Sequence, residues 1–337
     1  MRKKIFAVIK YLIFLGIGIF LMWWQFSKMT PAQNLQFRES LRHANYIVLI
    51  PIVILAILSH LSRAVRWKIM IEPLGYKPST SNTFYATMCG YFANTFIPRA
   101  GEILRCTLLG RYEKIAINKL IGTILVERIF DLFCYFLLVI FTFIIQFGKV
   151  SEFVKTKVFQ ISNKNAELPW IKILSVVGLF SLILYIFSRW ILKKYAGHRH
   201  IIRLRGLHMG LKEGIISILR LKRRKAFLLQ SAFIWLLYLS QIYIGFYALS
   251  ATTGLGFGAA FSVLSLATLA IIVAPGGIGA FPVAVQQVLL IYSIDNISFG
   301  WLMWGTTTAI IIIVGLISFG LLIYNNKNNN ERKQQNQ

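Results

Sequence analysis

The sequence predicts an all-α integral membrane protein with about six full transmembrane helices and two re-entrant helical elements. Its 337 residues are 57% hydrophobic and 14% charged, with a mean hydropathy of +0.65. A soluble domain carries about a quarter charged residues, so a soluble fold is excluded. The net charge of +26 lies mainly in loops between apolar runs. This distribution favours contact with anionic lipid at the cytoplasmic face and argues against a nucleic-acid-binding surface.

Eight apolar segments follow one another along the chain, and six of them are close to the ~20 residues that cross a bilayer. These six are 5–26, 46–62, 120–147, 170–191, 226–249 and 301–324. The first is too long for a signal peptide, and we interpret it as a retained helix. The other two segments are 83–98, which is too short to span, and 258–292, which a Pro-Gly-Gly sequence divides.

Loop charge sets the predicted topology. Residues 193–225 hold 11 Lys and Arg, and 63–82 is also basic, so the positive-inside rule places both in the cytoplasm. An even number of crossings must separate them, which makes 83–98 re-entrant from the cytoplasm. The same parity makes 258–292 re-entrant from outside and leaves both termini inside. The alternative is eight plain crossings, with 258–274 and 279–292 as two short helices and 83–98 spanning with 103–119. However, 103–119 carries charges that are unfavourable in hydrocarbon.

We expect one membrane domain over 1–324, with halves at about 1–147 and 170–324 that have the pattern of an inverted-topology repeat. The basic linker 193–225 includes a stretch, 199–219, whose apolar spacing predicts a helix on the membrane surface, with a solvated linker as the alternative. The Asn- and Gln-rich tail 325–337 is predicted to be disordered.

The first re-entrant segment ends in a cluster of polar residues, where such residues are least expected in a membrane. A broken helix leaves backbone groups free for ions or head groups, and two arginines could together bind a lipid phosphate. The alternative is an interfacial turn with ordinary lipid anchors. The candidate binding residues are Asn94, Arg99, Glu102 and Arg105, and the break itself is attributed to Pro98 and Gly101.

Charges also occur inside the helix predicted over 120–147, at Glu127, Arg128 and Asp131. Each costs about 2.5–3.5 kcal/mol at the bilayer centre, so they must face the protein interior and pair, with one another or with Arg99 or Arg105. They are either binding residues or a structural salt-bridge network. Arg63 and Arg66, at the end of the helix predicted over 46–62, either gather anionic head groups or extend to the interface.

The second break is uncharged, so its predicted role is conformational or depends on backbone amides, with a simple glycine-rich turn as the alternative. Its residues are Pro275, Gly276, Gly277 and Gly279. The chain contains no P-loop, GxSxG or HExxH motif, and its three cysteines lack metal-ligand spacing. We therefore expect neither an enzyme nor a metal or cofactor site.

The ordered series of these motifs resembles the flippase-like family of the lysylphosphatidylglycerol synthetase transmembrane region, also called the UPF0104 group, over roughly 5–324. The series is Arg63-x2-Arg66-Trp67, Gly90-Tyr91-Phe92-Ala93-Asn94-x3-Pro98-Arg99-x-Gly101-Glu102-x2-Arg105, Glu127-Arg128-x2-Asp131 and Pro275-Gly276-Gly277-Ile278-Gly279. The resemblance implies movement of a lipid between leaflets by a stand-alone membrane domain without the synthetase. Pro282 stands where the family pattern has an acid, which implies another lipid or reliance on Glu102.

The resulting hypothesis is a flippase-like transporter in a bacterial-type inner membrane that moves or binds a phospholipid or a lipid-linked head group. The alternative is a non-transporting accessory or scaffold subunit of a membrane enzyme of lipid or glycan synthesis, recruited through 193–225. An intramembrane transferase is a third, weaker hypothesis. Expected partners are the lipid, and either such an enzyme or a second copy of the chain.

Overall fold

The computed structural model describes residues 16, 18–97, 100–161 and 221–335, and this part of the chain is helical, without a β-strand. The α-helices are α1 (18–27), α2 (Pro31–Arg42), α3 (Leu49–Ile71), α4 (Thr80–Phe96), α5 (Ala100–Glu113), α6 (Ile117–Ile161), α7 (Arg224–Gly245), α8 (Phe257–Val273), α9 (Ala280–Ile291) and α10 (Ser298–Gln335). Short 3-10 turns occupy Tyr46–Val48, Glu72–Leu74, Phe246–Ala248 and Pro275–Gly277. The all-α prediction is confirmed.

Four of the predicted spans are found as helical segments long and apolar enough to cross a membrane. They are Tyr46–Leu74, Ile117–Lys149, Arg224–Ala248 and Ser298–Asn326. Their outward surfaces are apolar, as for Ile144, which is 67% exposed on α6, and such surfaces are stable against lipid. The span predicted over 5–26 is described only from residue 16, and 170–191 lies outside the described residues. The total of six spans stays a prediction.

Helices α4 and α5 form an antiparallel hairpin, called here the first hairpin. The Ser79 side chain caps the start of α4 by accepting a hydrogen bond from the backbone N–H of Asn82. At this open end the Asn82 amide donates to Glu113 Oε1, at 2.7 Å. At the other end Gly90 and Gly101 bring the two backbones together, because a Cβ on Gly101 would lie 1.9 Å from the Gly90 carbonyl oxygen. Only glycine fits this contact.

Helices α8 and α9 form the second hairpin. Its closed end is the Pro275–Gly277 turn, where Gly276 and Gly279 adopt the positive φ values of 65° and 68° that favour glycine. Near its open end Tyr292 and Ser262 share a hydrogen bond of 3.1 Å between hydroxyls. Each hairpin therefore leaves the helix bundle on the face where it began.

The two hairpins begin on opposite faces of the bundle. On face I, where the first hairpin opens, Arg223 pairs with Glu72 at 3.1 Å and the Asn82 side chain contacts Asn326. On face II, where the second opens, the Asn45 N–H donates to the Ala248 carbonyl at 2.8 Å.

The closed ends of the two hairpins meet between these faces. A Cβ on Gly276 would lie 3.5 Å from the Thr95 carbonyl oxygen. This is the geometry that two re-entrant elements require. Each half has a long helix, a hairpin and a long helix in that order, as an inverted-topology repeat would have.

The C-terminal helix is longer than the apolar span predicted over 301–324, since helix α10 continues to Gln335. The disorder predicted over 325–337 stays a prediction. The predicted linker 193–225 and surface helix 199–219 lie outside the described residues, apart from 221–225.

Candidate functional site

Two arginines on α3 face two carboxylates on α6 inside the bundle. Arg63 Nη1 lies 2.9 Å from Asp131 Oδ2, and Arg66 Nη2 lies 2.7 Å from Asp131 Oδ1 and 3.3 Å from Glu127 Oε1. The spacings i, i+3 on α3 and i, i+4 on α6 place each pair on one helix face. The side chains of Arg66 and Glu127 have no exposed surface. These charges are thus paired away from lipid.

The first hairpin contributes a third arginine, Arg105 on α5. Its Nη2 lies 2.8 Å from Glu127 Oε2, and its guanidinium lies 3.8 Å from the ring centre of Trp67. The buried Trp67 indole donates in turn to Thr123 Oγ1 at 2.8 Å. A guanidinium both paired and stacked in this way is held in one orientation.

Helix α7 holds the opposite side of the α3 arginines. The Arg63 Nε–H donates to Tyr238 Oη at 2.8 Å, and Arg66 Nη1 donates to Ser231 Oγ at 3.1 Å. Ser62, one helical turn before Arg66 on α3, is hydrogen-bonded to Gln230 on α7. The α7 residues were missed by the sequence analysis. The signal was present, since Ser231 and Tyr238 are polar residues seven apart in an apolar helix and therefore share a face.

The accessible end of the cluster lies between α5 and α6, at the closed end of the first hairpin. Arg128 Nη2 and Glu102 Oε1 are 3.5 Å apart, with side chains 40% and 30% exposed. Asn94 donates to Glu102 Oε2 at 3.2 Å and accepts from the Gly101 N–H at 2.8 Å. Asn94 therefore fixes both the hairpin end and the orientation of the Glu102 carboxylate.

The arginine–carboxylate network, as we call this set, carries an excess of positive charge and of hydrogen-bond donors. Its described members are Arg63, Arg66, Arg105, Arg128, Glu102, Glu127 and Asp131, four arginines against three carboxylates. Several buried donors lack a hydrogen-bond partner within the described ranges: Arg66 Nε, Arg105 Nε and Nη1, Arg128 Nε and the Tyr91 hydroxyl. Buried donors are normally satisfied, so this surplus suits an acceptor-rich ligand or water.

The structure brings most of the predicted binding residues together. Arg63 and Arg66, expected at the membrane interface, instead lie in the interior of the bundle because α3 continues to Ile71. Pro98 and Arg99 lie outside the described residues. The side chain of Glu127 is too deeply buried to line an open cavity, and it holds its arginine neighbours in place.

The second break meets the first hairpin but makes no hydrogen bond or ion pair with the network within the described ranges. Gly276 lies against Thr95 at the closed end of the first hairpin, and its carbonyl accepts from the Trp304 indole at 2.8 Å. Pro282, which replaces the expected acid, is buried against Gly300 and outside the network. Within the described ranges no three His, Cys, Asp or Glu side chains are grouped as metal ligands would be.

These features define a class: a helical membrane protein in which two helix hairpins open on opposite faces beside a buried charged network. The chain belongs to the family of the lysylphosphatidylglycerol synthase TM region, whose model matches residues 8–317. The family prediction is confirmed.

A comparison with curated proteins gives a relative of the same kind. The chain is 32% identical over 100 residues to the UPF0104 membrane protein MJ1595 of Methanocaldococcus jannaschii. The match covers 28% of this chain and 30% of that protein, so the chain spans less than a third of the relative's length. No solved structure matches.

Proposed function

We propose that this protein is a flippase-like transporter that moves the phosphate-bearing head group of a phospholipid or lipid-linked substrate between leaflets. The observation that carries the proposal is the surplus of arginines and unpaired donors in a buried network beside the meeting point of the two hairpins. Guanidinium groups bind phosphate oxygens through paired, charge-assisted hydrogen bonds. A lipid phosphate supplies the acceptors and the negative charge that the network lacks.

The exposed edge of the network gives the head group its first contact. Among the described residues Arg128 pairs only with Glu102, at 3.5 Å, and its side chain is 40% exposed, so it can bind a phosphate without breaking a short ion pair. Arg99 precedes the same helix as Glu102 in sequence and would add a second guanidinium. Glu102 would contact a cationic group on the head group or orient an arginine. The acyl chains would stay in the bilayer.

Alternating movement of the hairpins supplies a route across. Their open ends lie on opposite faces and their closed ends touch at Thr95 and Gly276. Transporters with broken helices commonly bind substrate near the membrane midplane, between related halves. Displacement of one hairpin at a time would expose the network to one face and then to the other.

Transport would proceed without covalent chemistry, in a bacterial-type inner membrane with both termini of the chain in the cytoplasm. Face I would then be cytoplasmic, which agrees with the exposed cations at 222–225 on that face.

A leaflet-sidedness assay tests the proposal. Proteoliposomes would contain fluorescently labelled phosphatidylglycerol or phosphatidylethanolamine, and the loss of label from one leaflet would be followed. Arg128→Ala and Arg99→Ala should each slow movement about tenfold or more, the effect of one charge-assisted hydrogen bond. Arg111→Ala is the matched control, because Arg111 is an exposed arginine on α5 outside the network. Unchanged movement in Arg128→Ala and Arg99→Ala, or no movement of either lipid in the wild type, contradicts the proposal.

One observation favours the alternative, an accessory or scaffold subunit. Lys222, Arg223, Arg224 and Lys225 form an exposed basic run on face I, which would suit a partner enzyme or anionic lipid. Neutralising all four should leave transport by the purified protein intact if transport is the function. A loss of cellular function in that variant, with Arg99→Ala and Arg128→Ala harmless, supports the scaffold instead.

A further inference from the structure

A polar cavity lies on face II, and none of its lining residues belongs to the arginine–carboxylate network. It has a volume of about 230 Å³ and is enclosed by α1, α2, α9 and the start of α10. The residues that matter for its chemistry are five glutamines and three other polar or aromatic side chains: Gln25, Gln33, Gln36, Gln286, Gln287, Asp295, Lys28 and Trp24. None of the predicted lipid-binding residues lines this cavity.

Hydrogen bonds fix several of these side chains around the cavity. Asp295 accepts from Gln33 at 3.1 Å and from Gln286 at 3.0 Å, one bond to each carboxylate oxygen. The Gln25 amide donates to Gln286 Oε1 at 3.2 Å and accepts from the Trp301 indole at 3.1 Å. Gln25 is 5% exposed. A buried amide thus anchors a chain of polar groups that extends to the open side.

Other polar groups of the lining remain available to a ligand. Gln287 is exposed and makes no side-chain hydrogen bond within the described part of the chain, and Lys28 is likewise exposed. Asp295 is also exposed and retains free lone pairs, since a carboxylate has about four acceptor positions. The indole of Trp24, 42% exposed, provides an apolar surface beside them.

The lining fits a neutral hydroxyl-rich ligand better than a phosphate. A hydroxyl donates one hydrogen bond and accepts others, and a glutamine amide does both as well. Asp295 accepts only and repels anions, and Lys28 balances its charge, so the lining has no net charge. The cavity is smaller than the roughly 300–1,000 Å³ of sites for drug-sized molecules. A single sugar ring, with Trp24 against its C–H face, matches this size and chemistry.

We infer that the glutamine-lined cavity on face II binds a single sugar ring, whether carried by a glycolipid head group or free in solution. The inference does not rest on the proposed function, since the residues differ and the measurement below is of binding alone.

The test uses the full chain in nanodiscs of phosphatidylethanolamine and phosphatidylglycerol, free of sugar detergents. Saturation-transfer-difference NMR would measure binding of methyl glucoside, methyl galactoside and methyl mannoside. We expect at least one of them to bind. We expect no binding of 2-methoxytetrahydropyran, the same ring without hydroxyls, because a site built for hydroxyls rejects analogues that lack them.

Variants connect that binding to the cavity. Gln287→Ala should weaken it about fivefold and Asp295→Asn about tenfold, the scale of a neutral and of a charge-assisted hydrogen bond. Gln287 is exposed and makes no side-chain hydrogen bond with another described residue, so its variant should fold normally. Asn34→Ala is the control, because Asn34 is an exposed amide on α2 outside the lining.

A competition experiment identifies the source of the sugar. If monoglucosyl-diacylglycerol in the nanodisc displaces the methyl glycoside, the site takes a lipid-linked sugar; if it does not, the site takes a soluble one. Both results support a sugar site. The inference is overturned if none of the three glycosides binds, if both cavity variants bind as the wild type does, or if inorganic phosphate displaces the glycoside.

Discussion

Neutralising Glu127 should strongly destabilise the protein, although the substitution Glu127→Gln hardly changes the size of the side chain. Glu127 is fully buried, with Oε2 2.8 Å from Arg105 and Oε1 3.3 Å from Arg66 and 3.5 Å from Arg63. The glutamine would leave Arg63 and Arg66 with Asp131 alone, and Arg105 without a carboxylate within 4 Å in the described structure. Removing one partner of a buried ion pair costs about 3–5 kcal/mol, because the charge that remains is uncompensated.

The assay is thermal unfolding of the purified protein in one detergent, where that loss corresponds to a fall in Tm on the order of 5–10 °C. Glu102→Gln is the matched control. Its carboxylate is 30% exposed and lies 3.5 Å from Arg128, so we expect a loss of less than about 1 kcal/mol. Adding Arg105→Met to Glu127→Gln should recover part of the stability, since it removes an unpaired charge. Equal Tm values for Glu127→Gln and Glu102→Gln would show that the Glu127 charge does not stabilise the buried arginines.

Further predictions concern the two hairpins, and thermal unfolding checks both. Gly101→Ala should lower the free energy of unfolding by about 3 kcal/mol, because the new Cβ would lie 1.9 Å from the Gly90 carbonyl oxygen. Wild-type stability of this variant would mean that α4 and α5 are not in backbone contact. Gly279→Ala should lower the free energy of unfolding by about 2 kcal/mol, because residue 279 has φ of 68° and its Cβ would lie 2.6 Å from the Gly18 carbonyl oxygen. An unchanged Tm in this variant would show that residue 279 does not adopt the positive φ of the turn in the second hairpin. Gly122→Ala is the control for both, since nothing lies within 4 Å of its Cβ, and it should stabilise α6 by about 0.5 kcal/mol.

The sequence predicts the helices and their breaks well, for reasons that are local. Apolar length indicates spans wherever lipid is the solvent, and proline or consecutive glycines end a helix regardless of what surrounds it. The cost of placing a charge in hydrocarbon likewise requires the side chains at 127, 128 and 131 to face away from lipid. It does not determine whether they bind a ligand or one another.

Pairing inside the bundle could not be predicted, because it depends on how each helix is rotated about its axis. From hydropathy alone the span that contains α3 is predicted to end at residue 62, because Arg63 and Arg66 would be unfavourable if they were exposed to lipid. In the structure α3 continues to Ile71 with Arg66 fully buried against Glu127 and Asp131. Once an arginine is paired in the interior, its own hydropathy no longer limits the helix.

Tyr91 and Tyr238 were missed as members of the site for a related reason. A tyrosine in an apolar helix is usually a core or interface residue, and its hydroxyl becomes informative only when the neighbours are known. Tyr238 accepts from Arg63, while the buried Tyr91 hydroxyl has no hydrogen-bond partner in the described structure. If the proposed function is right, Tyr91 would be a further donor to the head group.

Cysteine labelling in sealed vesicles of one orientation tests directly whether the two hairpins open on opposite faces of the membrane. In a chain whose native cysteines are replaced, Lys77→Cys and Lys114→Cys flank the first hairpin, and Gly256→Cys and Ser293→Cys flank the second. We expect an impermeant thiol reagent to label the first two cysteines only from one side and the last two only from the other. Labelling of the two ends of either hairpin from different sides would show that this hairpin crosses the membrane and is not re-entrant.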